Sequence, residues 1–239
     1  MDKSPILKAQ SPAALAEEYI IKSIWNQHFP AGSDLPAERD LADKIGVTRT
    51  TLREVLQRLA RDGWLQIQHG KATKVNNIWE TAGPNLIETL IQLNPSSAAL
   101  IVGDVVSLRT RMSEYYITEA IKHNQADSLR LFEKLDQLED NPEAYMEFDW
   151  FIFRQFTFIA NKPVYGLIFN TFKGLYKRVS SVYFQKPEAR RINLKFYKEL
   201  REICQTGQYQ RVSPAILANR QECLHLWAEL LPKLSELFE

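Results

Sequence analysis

Residues 35–65 read Leu35-Pro-Ala-Glu-Arg-Asp-Leu-Ala-Asp-Lys-Ile-Gly-Val-Thr-Arg-Thr-Thr-Leu-Arg-Glu-Val-Leu-Gln-Arg-Leu-Ala-Arg-Asp-Gly-Trp-Leu65, and this stretch decides the fold of the first part of the chain. Its periodicity predicts two short amphipathic helices, near 36–45 and 48–62, joined by a tight turn at Gly46. That is a helix-turn-helix pattern, which offers the start of its second helix to a DNA major groove. Thr48, Arg49, Thr50, Thr51 and Arg53 crowd that start, so hydroxyls and guanidiniums stand where phosphates and base edges would lie. Leu52, Val55, Leu56 and Leu59 recur at helical spacing and are expected to be core.

Working outward, Ser11-Pro12 is a cap followed by a first-turn proline, so a helix is expected from there until just before Pro30-Ala-Gly32. Downstream, Gly63 stops the second helix as a C-cap glycine would. Residues 64–68 and 72–76 then alternate apolar and polar about His69-Gly70-Lys71, which predicts a hairpin. A hairpin directly after such a helix is a wing, so residues 1–77 are expected to form a winged helix-turn-helix DNA-binding domain. Between Lys44 and Lys74, seven basic residues stand against Glu54 and Asp62 alone, although the whole chain carries a net charge of only +1. That local excess suits a phosphate-binding surface.

From residue 78 the character changes to helical periodicity with little glycine. Helices are expected near 80–93, 98–123, 126–138, 142–160, 163–185, 188–206 and 214–237, with Ser213-Pro214 repeating the opening of the first helix. Residues 78–239 would thus form an all-α antiparallel bundle, making the protein mainly α with one small hairpin. Its 45% hydrophobic and 25% charged residues are ordinary for a folded domain. No run of about 18 apolar residues predicts a membrane span. Met1-Asp-Lys-Ser-Pro5 lacks the apolar stretch of a signal peptide, and Cys204 and Cys223 are expected to be reduced thiols in the cytoplasm.

The segment LPAERDLADKIGVTRTTLREVLQRLARDGWL resembles the GntR family of bacterial transcription regulators. The likeness is strongest to its fatty-acid-responsive members, through KAQSPAALAEEYIIKSIW, IQHGKATKVNN, NKPVYGLIFN and KGLYKRVSSVYFQKPEAR. The resemblance implies a cytoplasmic homodimer on double-stranded operator DNA, with long-chain acyl-CoA as an effector in the helical domain. It further implies repression of fatty acid degradation genes, activation of unsaturated fatty acid synthesis genes, and release from DNA when the effector binds. The implied DNA contacts are Arg39, Thr48, Arg49, Thr50, Thr51, Arg53, His69 and Gly70. Of these, Arg49 and Arg39 suit bidentate contact with guanine, and His69 suits a narrow minor groove. The implied acyl-CoA residues are Arg109, Phe153, Tyr176, Tyr183 and Trp227, joined by Cys223, which with Arg220 departs from the serine and glycine expected there.

Related regulators hold a metal through an Asp followed four residues later by His, with two later histidines. Here Asp149 is followed at that spacing by Phe153, and no histidine lies between His123 and His225, so no metal is expected and Asp149 should cap or pair. Phe148, Phe151, Phe153, Phe156 and Phe158, then Tyr165, Phe169, Phe172, Tyr176 and Tyr183, are core-forming singly and together supply an apolar tunnel. Arg109 among Val105, Val106 and Leu108 calls for a buried partner. An enzyme is disfavoured, because no nucleophile–base pairing or glycine-rich phosphate loop is present. A regulator answering to an organic acid is the alternative, weakened by the missing metal ligands.

Overall fold

The Ser11 hydroxyl accepts from the Ala14 N–H at 3.2 Å and opens α1 (Pro12–Trp25), as the cap-plus-proline signature requires. In this computed structural model, which describes residues 10–238, the chain forms two units, Met1–Leu86 and Ile87–Glu239. The expectation placed on Met1–Pro5 lies outside the described residues. The units divide after Leu86, nine residues beyond the expected boundary, because Ile78–Leu86 stays with the first unit.

In the first unit, α2 (Glu38–Ile45) ends at Gly46, whose φ of +81° only glycine adopts cheaply, and α3 (Arg49–Arg61) follows. Ala16 and Ile20 of α1 are sealed in one core with Leu52, Val55 and Leu59 of α3, with exposures of 1% or less. Each buried leucine or isoleucine contributes about 1.5–3 kcal/mol, so this seam holds α3 with its polar face outward. The wing consists of β1 (Leu65–Gln66) and β2 (Lys74–Val75), antiparallel with Leu65 opposite Val75 and Gln66 opposite Lys74. These strands are shorter than the alternation suggested, since Ile67 is 38% exposed and has no second layer to cover it. Backbone bonds Gly32 N–H to Val75 O (2.7 Å), Val75 N–H to Ser33 O (2.9 Å) and Leu35 N–H to Thr73 O (2.8 Å) tie down the other edge of β2.

Gly63 joins α3 to the wing with φ +95°, and a Cβ there would sit 2.7 Å from the carbonyl oxygen of Thr81 in α4 (Ile78–Thr81). The Gly63 carbonyl accepts from Asn76 Nδ2 at 3.0 Å and Thr81 Oγ1 at 2.7 Å. Gly63→Ala should therefore lose more than the ~1–3 kcal/mol of a strained φ alone, whereas Gly46→Ala, with nothing within 4 Å of its Cβ, should lose only that much. Urea midpoints of the two variants check this; equal losses would show that the approach to Thr81 is not rigid.

The second unit is all helical: α5 (Ile87–Leu93), α6 (Ala98–His123), α7 (Gln125–Arg130), α8 (Pro142–Ile159), α9 (Pro163–Thr171), α10 (Lys173–Tyr183), α11 (Pro187–Thr206), α12 (Val212–Leu230) and α13 (Leu234–Phe238). α6 packs against both α8 and α12, and α11 lies along α12 and α7. Several expected helices are broken. Gly83-Pro84 divides the 80–93 span into α4, a 3-10 turn and α5, because Pro84 lacks an N–H and disfavours helix at its predecessor. Pro232 splits the last helix in the same way. The 163–185 span bends at Phe172, whose N–H bonds to Phe169 O as in a 3-10 turn, one residue before Lys173 and the poor helix former Gly174. The span 126–138 is α-helical only to Arg130 and ends in a 3-10 turn at Leu135–Gln137. Finally, Ser213 is no cap: α12 starts at Val212 and the Ser213 hydroxyl donates to Glu114 at 2.9 Å.

Candidate functional site

Thr48 shows why the start of α3 is well formed. Its Oγ1 accepts from the Thr51 N–H at 3.1 Å and shares a hydrogen bond with Thr51 Oγ1 at 2.9 Å. These two hydroxyls are therefore first of all a helix cap, leaving the preceding N–H groups and the positive helix end facing outward. Arg49 and Thr50 are exposed beside them, and Arg39, His69 and Gly70 are also exposed. Arg53 is held at 2.6 Å by Glu38 of α2, Arg58 at 2.9 Å by Glu17 of α1, and Arg39 lies 3.4 Å from Asp40. Arg58 thus fastens α3 to α1. Arg49, Lys71 and Lys74 have no acidic partner among the described residues, so the free positive charge collects at the α3 start and the wing.

In the second unit, Arg109, Phe153, Tyr176, Tyr183, Cys223 and Trp227 all line one cavity of about 260 Å³. They come from α6, α8, α10 and α12, with further walls from Val106, Phe169 and Val179. Tyr183 and Trp227 stack across α10 and α12 at 4.8 Å, and Trp150 stacks on Phe169 at 4.5 Å. The five phenylalanines of α8 do not act together. Phe153 lines the cavity, Phe156 is sealed in the core, Phe148 packs on Tyr197, and Phe151 and Phe158 are 45% and 46% exposed. Alternate spacing on a helix spreads side chains around its circumference rather than along one face.

Asp149 anchors the polar end of the cavity. Its carboxylate accepts from Arg109 Nη2 at 2.5 Å, from Tyr197 OH at 2.8 Å and from Tyr176 OH. The Arg109 guanidinium also lies 3.8 Å from the centre of the Phe153 ring. Burial is the largest influence and opposes the Arg109 charge, but the Asp149 carboxylate together with the Tyr176, Tyr116 and Tyr197 phenols outweighs it and raises the guanidinium above its ordinary pKa. Burial, then the Asp149 charge, drives the Tyr176 and Tyr197 phenols well above theirs. Both phenols therefore remain protonated donors across physiological pH. Asp149 thus pairs rather than caps, and among the described residues no group of His, Cys, Asp or Glu gathers to hold a metal ion. Both cysteines are buried free thiols, Cys204 pushed up to about 12 by burial alone.

Tyr197, Trp150 and Phe196 are site residues that sequence reasoning missed. Tyr197 shares the buried stripe Asn193, Phe196, Tyr197, Leu200 of α11, and the one available signal was a tyrosine in a mostly apolar stripe, which needs a hydroxyl partner.

Residues 12–75 match the gntR family of bacterial regulatory proteins, and residues 76–239 match the FadR C-terminal domain. The chain is 56% identical over 235 residues to a fatty acid metabolism regulator protein of Haemophilus influenzae (strain PittGG), with 98% of each chain covered. It is 55% identical over 226 residues to that of Pasteurella multocida (strain Pm70), covering 95% of this chain and 94% of the relative. Against that of Yersinia pestis (strain Pestoides F) the figure is 49% over 222 residues, with 93% of each covered.

Proposed function

The chain belongs to the GntR family of bacterial regulatory proteins, which makes it a DNA-binding transcription regulator and not an enzyme, and from that premise we propose that it governs fatty acid metabolism in response to long-chain acyl-CoA. In this reading a cytoplasmic homodimer docks two winged units on operator DNA, represses degradation genes and activates unsaturated fatty acid synthesis genes. It uses no metal or other cofactor. Arg39, Thr48, Arg49, Thr50, Thr51, Arg53, His69 and Gly70 meet the DNA. The observation that carries the effector assignment is the convergence of Arg109, Phe153, Tyr176, Tyr183, Cys223 and Trp227 on one apolar cavity.

The size of that cavity supplies the lever. At about 260 Å³ it falls just below the ~300 Å³ lower end for small-molecule pockets. A long acyl chain must therefore part the walls, and one seam it would open is the Tyr183–Trp227 stack between α10 and α12. A ligand that binds the parted arrangement better shifts the protein toward it by that difference in affinity. In a dimer whose half-sites lie about one helical turn apart or less, small displacements spoil simultaneous docking.

The test is anisotropy of a labelled duplex selected by the full-length protein from a random pool. Palmitoyl-CoA should weaken binding roughly 5–150-fold, the usual range of allosteric coupling. Unchanged affinity at saturating palmitoyl-CoA would overturn the effector assignment.

A further inference from the structure

Three charged side chains line the cavity of the helical unit: Arg109, Asp149 and Arg220. The first two neutralise one another at 2.5 Å. Most of the uncharged polar lining is also engaged within the protein. Thr110, Ser113 and Ser180 donate to the carbonyls of Val106, Thr110 and Tyr176 at 2.6–2.8 Å. Asn193 donates to Ala189 O, and Tyr183 donates to Cys223 Sγ at 3.1 Å. Arg220 alone of the charged lining groups has no acidic partner among the described residues. Glu222, two residues on, faces Lys195 at 2.5 Å.

Arg220 precedes Cys223, Leu224 and Trp227 by one to two turns of α12, so the four share a face and that face belongs to the cavity. Cys223 is buried and Trp227 half-buried, whereas Arg220 is exposed. The stripe therefore runs from solvent into the apolar wall, and Arg220 stands at the rim. A ligand's charge cannot follow its tail inside without a large desolvation cost, so it stays at the wet end.

We propose that Arg220 is the anion-recognition residue of this cavity, gripping the anionic oxygens of an amphiphile whose apolar chain lies within. A guanidinium serves phosphate and carboxylate alike, through two parallel N–H donors. The oxygens therefore belong either to the phosphates of a nucleotide thioester or to a free fatty acid. The proposal rests on the reading that the cavity takes a long acyl chain.

Calorimetry on the full-length protein separates these cases with three probes: palmitoyl-CoA, palmitate and the uncharged S-palmitoyl-N-acetylcysteamine. Arg220→Gln should bind one of the anionic probes roughly tenfold more weakly, the loss of one charge-assisted contact, and the uncharged thioester unchanged. A loss confined to palmitoyl-CoA identifies phosphate; one confined to palmitate identifies carboxylate. Arg220→Lys should recover part of the affinity by charge alone. Because Arg220 is exposed, the thermal midpoint of each variant should match the parent. Unaltered affinity of Arg220→Gln for both anions, or an equal loss for the uncharged thioester, overturns the proposal while leaving the acyl site standing. Failure of the parent protein to bind any of the three overturns both.

Discussion

Asp149→Ala is expected to destabilise the helical unit by about 3–5 kcal/mol, the usual result of stripping one partner from a buried ion pair. Arg109 would remain among Val106, Phe153 and Tyr176 with its charge unmet, and the Tyr176 and Tyr197 hydroxyls would lose their acceptor. Against a typical stability of about 5–15 kcal/mol this is a large fraction. The contrast is the double replacement Arg109→Met with Asp149→Leu, which removes the charge together with its partner and should recover most of the loss. Urea unfolding of the full-length variants, followed by far-ultraviolet circular dichroism, distinguishes the cases. A single variant within ~0.5 kcal/mol of the parent, the ordinary range for surface substitutions, would show that the carboxylate is not what stabilises Arg109.

Arg49→Ala is expected to lower affinity for the selected operator about 5-fold to 150-fold per docked winged unit, corresponding to ~1–3 kcal/mol for a bidentate base contact. Affinity for a scrambled duplex should fall far less, so discrimination between the two is the quantity to measure. The expectation follows from position: Arg49 is exposed at the first helical residue of α3 and has no acidic partner among the described residues. Arg53, already held at 2.6 Å by Glu38, should contribute less when replaced by alanine and should act on both duplexes alike, as a phosphate contact does. Retained discrimination by Arg49→Ala would assign base readout to another residue. Circular dichroism should be unaltered, since no hydrogen bond of the cap passes through the Arg49 side chain.

The winged unit was legible because its determinants are local. Ser11 and Thr48 cap the helices they precede, and Gly46 and Gly63 take the positive φ their places in the pattern demand. Strand length was less legible, because it depends on whether anything covers Ile67. The breaks at Gly83-Pro84 and Pro232 were written in the residues themselves, whereas the bend at Phe172 carries only the weaker sign of Gly174 two residues on. The resemblance named six cavity residues that the structure brings together, but spacing alone could not, since they lie on four helices. Arg109 foretold a buried partner without naming it. Asp149 lies 40 residues away, and Tyr197 a further 48 beyond that, so only tertiary packing joins them. The α8 phenylalanines misled for the opposite reason: richness along a helix says nothing of which side each ring occupies.

One consequence of the aromatic walls is practical. Trp150 and Trp227 are the indoles of the helical unit, one against Phe169 and the other over Tyr183, and both border the cavity. A guest that separates Tyr183 from Trp227 must change the emission of that indole, while Trp64, 1% exposed in the other unit, does not border the cavity. The protein thus carries its own optical gauge of occupancy, readable without a dye and alongside DNA.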